Sequence, residues 1–190
     1  MNTTARSWKT ILVWGLIIVG ILMVGAVDDN LHISGTCMFI LMSYFAAIAG
    51  TYPVLAVNRP GTGLAVMLPY ALIGIFPLYY YDWLQQGNLV GAWAVVVWTA
   101  AGPIIGACMD LAYLASARCS ERTRAILIGT AMQVAQFVVA LVGLQYLYAP
   151  ASSMAAHVYL YSQRWLFTLP WMALNGAFGG YTAYALRKRA

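Results

Sequence analysis

Long apolar runs separated by short polar breaks are the dominant pattern of this chain. A helix needs roughly 20 mostly apolar residues to cross a hydrocarbon core of about 30 Å. Six segments meet that length, at about 11–27, 37–57, 62–81, 88–115, 125–148 and 165–186. None alternates with the two-residue period of a membrane barrel strand, whose unit is about 10 residues. Helices also satisfy every backbone group internally, as lipid demands. The pattern predicts an all-α fold: a polytopic integral membrane bundle of six transmembrane helices, forming one domain over 1–190. Arg6 and Lys9 before the first run imitate a secretory signal, but the run is longer than the usual apolar core of one. It is read as a retained helix.

The polar positions give the bundle a direction. Arg6 and Lys9 precede the first span, Arg59 separates spans two and three, Arg118, Arg122 and Arg124 separate four and five, and Arg187, Lys188 and Arg189 follow the sixth. Arg164 alone falls on the opposite side. The positive-inside rule then puts both termini in the cytoplasm, with the chain multi-pass in the cytoplasmic (inner) membrane. Asp28, Asp29 and Asp82 fall in outer loops, Glu121 inside, and Asp110 within a span.

Composition agrees. The chain is 63% hydrophobic and 8% charged, against about 25% charge for soluble domains, and its mean hydropathy is +0.76. The net charge of +5 is a topology signature on this reading and not a nucleic-acid patch. Tyr79 to Tyr81, Trp83, Tyr146, Tyr148, Tyr159, Tyr161 and Trp165 cluster at the outer ends of spans three to six. They read as an interfacial aromatic belt, with a substrate-lining mouth as the alternative. Prolines 53, 69, 77, 103 and 170 punctuate the spans, and no internal repeat is evident.

Candidate chemistry is sparse. Cys37, Cys108 and Cys119 are odd in number and scattered, which speaks against a disulfide framework or a cysteine metal site. Asp28 and His32 have the spacing of one helical turn and could face one metal, but metal sites normally take three or four ligands and no third follows. A solvated loop is the favoured reading. Asp110 is the one deep ionisable residue. Arg118 and Arg122 are near enough in sequence to pair with it, so a structural anchor competes with proton or substrate handling. Gln133 and Gln136 share a helix face, and Asn175 lies in the last span. Buried amides bridge membrane helices for about 0.6 kcal/mol each, so these read as glue. Gly176 and Gly180 form a small-xxx-small face for close helix packing, internal or with another chain. There is no nucleophile–base pair, no paired carboxylates, no phosphate loop and no histidine cluster, so catalysis by this chain alone is not expected.

Three stretches carry a family resemblance. Ala49-Gly50-Thr51-Tyr52 is followed by Arg59-Pro60-Gly61-Thr62, the run from Trp98 to Tyr113 ends in Asp110-Leu111-Ala112-Tyr113, and the last helix is glycine-rich from Gly176 to Ala185. In order and position they resemble the A subunit of the copper membrane monooxygenases, the ammonia and methane monooxygenase family, and look most similar to the short archaeal-type ammonia monooxygenase A subunits. The resemblance implies a hetero-oligomer with B-type and C-type partners. It implies a reaction that inserts one oxygen atom of O2 into ammonia, methane or a short hydrocarbon at the expense of quinol. It also implies copper held by the partner subunits, with none bound by this chain. The family's C-type subunit uses Asp-x-x-x-His followed by another histidine; that third ligand has no match after His32, and no copper site is transferred to Asp28 and His32. A vitamin-binding component of an energy-coupling-factor transporter is the competing reading, with Asp82 and Asn88 lining a pocket. An accessory subunit of another membrane complex is the third.

Overall fold

A computed structural model describes the backbone of residues 3–31, 36–73, 92–142 and 164–189, with side chains over 7–21, 24, 41–73, 99–142 and 164–189. All the secondary structure in it is α-helical, in six helices: α1 Thr3–Leu31, α2 Thr36–Val57, α3 Thr62–Ile73, α4 Ala92–Ala115, α5 Glu121–Val142 and α6 Trp165–Arg189. Each corresponds to one predicted apolar run. The helices are apolar nearly all round, so their sequences fix no single inward stripe.

The ends are set by local chemistry. Asn58 closes α2 with φ +52°, its N–H bonding to Val54 O at 2.9 Å. Asparagine is one of the few side-chain-bearing residues that adopt this left-handed cap. Gly61, at φ +83°, follows and starts α3, its carbonyl accepting from Ala65 N–H. Ser120 caps α5: its hydroxyl accepts from Thr123 N–H, and its carbonyl accepts the first helical bond from Arg124. Glu121 in the first turn of α5 and Arg187, Lys188 and Arg189 in the last turn of α6 have the signs that the helix dipoles favour.

The helices close a ring, α1–α2–α6–α5–α4–α3 and back to α1, with α2 drawn inward against α3 and α5 as well. Glycine makes the tightest crossings. A Cβ at Gly63 would meet Gly106 O at 2.7 Å, and one at Gly106 would meet Leu64 Cα at the same distance, so α3 and α4 touch backbone to backbone. Gly129 of α5 meets Gly176 and Gly180 of α6 in the same way. Gly15 of α1 leaves room for the ring of Pro69 on α3. Pro53, Pro69, Pro103 and Pro170 all lie inside helices; Pro77 is outside the described residues.

One expectation changes. Asp28 and Asp29, assigned to an outer loop, belong to the helical backbone of α1, which continues to Leu31. Among the described residues α5 is the one helix long and apolar enough to cross a membrane. Shorter apolar stretches are described at Ser7–Ile21, Leu41–Val57, Thr62–Ile73 and Thr99–Ala115, the first, second and last of them parts of longer helices. α6 is long, but Asn175, three glycines and three terminal cations lower its apolarity.

Large apolar side chains lie on the exterior: Leu72, Leu111, Leu166 and Phe178 are all more than 60% exposed. The interior is mainly apolar but also holds the polar side chains of Ser43, Thr51, Gln133 and Asn175.

Candidate functional site

Two polar constellations hold the candidate polar residues whose side chains are described. The first joins the ends of four helices. Gly61 begins α3 without a side chain, so it cannot cap the free amides of the first turn. Asp110, in the last two turns of α4, supplies the cap from outside. Its Oδ1 accepts from Gly63 N–H and its Oδ2 from Leu64 N–H, both at 2.9 Å. A carboxylate at that position also meets the positive end of the α3 dipole. The Gly63–Gly106 contact brings α4 near enough for the reach.

One turn further along α4, the Tyr113 hydroxyl donates to Asn58 Oδ1 at 3.1 Å, tying α4 to the end of α2. Arg124 of α5 lies over the Tyr113 ring, 5.3 Å from its centroid. It also donates to Ala117 O at 2.8 Å and Ser116 O at 3.4 Å, neutralising the carbonyl end of α4. Asp110 therefore finds its partner in the backbone of α3. The sequence had suggested Arg118 and Arg122 instead, but Arg118 is exposed and Arg122 lies over Tyr181, 4.9 Å from the ring centroid. With each oxygen occupied by a main-chain donor, the carboxylate anchors a helix junction.

The second constellation lies in the interior. Ser43 of α2 receives two amides: its carbonyl accepts from Gln133 Nε2 of α5 at 2.8 Å, and its hydroxyl from Asn175 Nδ2 of α6 at 2.9 Å. Gln133 is wholly buried and its Oε1 has no partner, as is also true of Thr51 Oγ1. Gln136 is half-buried one turn beyond Gln133. Ser43, Gln133 and Asn175 are neutral hydrogen-bonding groups that join three helices.

The helix-packing residues lie together as well. Gly176 faces Gly129 and Thr130, and Gly180 faces Ala125 and Ile126, so this small face is used inside the chain. Sequence reading overlooked the other half of that pattern: Gly102-x-x-x-Gly106 in α4, which meets Met67, Ala71 and Gly63 of α3, obeys the same spacing rule. Ser43, Asn58 and Gly63 were also missed. A serine hydroxyl or a main-chain N–H has no sequence signal of its own.

Cys108 is half-buried, Cys119 is exposed, and both are free thiols. Among the described residues no three histidine, cysteine, aspartate or glutamate side chains come together. His32, His157, Asp82 and Asn88, most of the outer aromatic cluster, and the side chains of Asp28 and Cys37 are outside the described residues. No family model, curated protein or solved structure matches the chain.

Proposed function

We propose that this chain is a six-span integral membrane protein of the cytoplasmic membrane with both ends inside, and that it serves as an A-type subunit of a copper membrane monooxygenase. One observation carries the reading. Asp110 and Tyr113, from one of the stretches that bear the family resemblance, bond to the residues on either side of another, Arg59-Pro60-Gly61-Thr62: Asp110 accepts from Gly63 and Leu64 just after it, and Tyr113 donates to Asn58 just before it. That proximity supports reading the two stretches as parts of one motif.

The exposed apolar exterior, the buried amides and the basic helix ends support the membrane placement. Within such a complex this chain supplies scaffold. Asp110 and Tyr113 hold the cytoplasmic helix ends in register, and Ser43, Gln133 and Asn175 hold the interior of α2, α5 and α6. Copper, in B-type or C-type partners, would supply the oxygen chemistry; this chain offers no described donor set for it.

The test is to extract the chain from its native membranes in mild detergent, identify what co-purifies, and measure metal. Histidine-bearing partners with stoichiometric copper are expected. A lone chain that retains a vitamin-sized molecule in native mass spectrometry overturns the monooxygenase reading in favour of a transporter binding component.

A further inference from the structure

The surface seam between the start of α5 and the end of α6 carries an ordered row of four side chains that the proposed function does not use. Arg122 of α5 sits over the Tyr181 ring, 4.9 Å from its centroid. Tyr181 meets Tyr184 at 6.4 Å between centroids. Lys188 in turn sits over Tyr184, its Nζ 5.0 Å from the centroid. The row thus runs cation, ring, ring, cation. Neither cation is neutralised: of the carboxylates among the described side chains, Glu121 is paired with Arg187 and Asp110 is held by α3. A ring face orients a cation without cancelling its charge.

An apolar strip begins where the cations end. Phe178 and Leu174 are exposed, with Tyr181, on the same face of α6 at spacings of four and three residues. From Tyr181 to Leu174 the strip runs about 10 Å along the helix at 1.5 Å per residue. Positive charge at the end of the helix, with apolar surface leading away from it toward the other end, follows the order of a phospholipid headgroup and its acyl chain. We infer that this seam is a seat for an anionic phospholipid, with its headgroup lying along the row between Lys188 and Arg122 and a chain lying along Phe178 and Leu174. Of the possible occupants, a lipid fits best because both parts of its chemistry are met on one continuous surface. A partner helix would have to bring its own carboxylates to the same end.

The inference rests on the membrane placement proposed above, and the two fail separately. Resistance of the chain to alkaline carbonate extraction tests the placement alone. For the seat, the full chain is extracted from native membranes and titrated with dioleoyl phosphatidylglycerol or dioleoyl phosphatidylcholine, and retained lipid is counted by native mass spectrometry. Phosphatidylglycerol is expected to be retained in preference. Since a basic residue near an anionic headgroup is worth about fivefold in binding, Arg122→Gln with Lys188→Gln should lower that preference by about 25-fold. The charge-preserving pair Arg122→Lys with Lys188→Arg should keep most of it, which separates lost charge from misfolding. Arg118→Gln with Arg189→Gln, at the same end but off the ring row, should leave it nearly unchanged. Equal losses in the two glutamine pairs would show a diffuse basic field and overturn the seat. No headgroup preference in the wild-type chain, or a seam covered by another polypeptide, would overturn it too.

Discussion

Asp110 and Gly63, 47 positions apart, are joined by a 2.9 Å hydrogen bond in which a side chain of α4 caps the first turn of α3. Gly61, at the start of α3, has no side chain to cap with, and the cap arrives from a neighbouring helix. Stability of α3 is thereby coupled to the α3–α4 crossing.

Removing that carboxylate should therefore weaken the junction. Asp110→Ala leaves two amides uncapped and is expected to cost about 0.5–2 kcal/mol, the range for losing an N-cap. Asp110→Asn keeps one acceptor and should cost less. Denaturant titration in detergent measures both. Equal stability of the alanine variant and wild type would remove the capping role, and normal complex yield with abolished turnover would assign Asp110 a direct part in function.

The glycines separate into two kinds. Gly129 meets the backbone of Gly176 and Gly180, so Gly129→Ala must push α5 and α6 apart and is expected to destabilise by at least about 1–3 kcal/mol. Gly20 in α1 has nothing within 4 Å of a built Cβ, so Gly20→Ala should stabilise by about 0.5–1 kcal/mol through helix propensity alone. The same unfolding assay reads both, and opposite signs are the expected result.

Gln133 provides a third contrast. Its Nε2 bridges to Ser43 while its Oε1 is buried without a partner. The bridge contributes about 0.6 kcal/mol on average, and the orphaned oxygen costs about 1–3 kcal/mol. Gln133→Leu, which removes both, should therefore leave stability unchanged or raise it by up to about 2 kcal/mol. A loss of several kcal/mol would mean that the amide does more than join helices.

Orientation can be tested at Cys119, which is exposed in the turn between α4 and α5 beside Arg118. In a Cys37→Ala, Cys108→Ala background, the proposed topology has a membrane-impermeant maleimide reach Cys119 only after the cells are permeabilised. Labelling in intact cells would reverse the assignment of sides.

Each described helix falls on one of the apolar runs, and the described breaks between helices lie at polar positions around Asn58 and Ser120. α5 shows the limit of that legibility. It begins four residues earlier than hydropathy suggested, at Glu121 behind the Ser120 cap. Hydropathy registers oiliness, and a polar first turn is invisible to it.

By itself, then, the sequence determined the helical class, the sorting of basic residues between loops, and the small-residue face of the last helix. Each of these is written in residue type along a single segment. Only the tertiary structure decided what Asp110 binds, that Ser43 receives both Gln133 and Asn175, and that Arg122 and Lys188 lie at the two ends of one row of rings. The physical reason is common to all three: the helices are apolar on nearly every side, so amphipathicity cannot choose their facing. That choice falls to glycine contacts such as Gly63 with Gly106 and Gly129 with Gly176, where two backbones touch and every polar partner is fixed by the crossing.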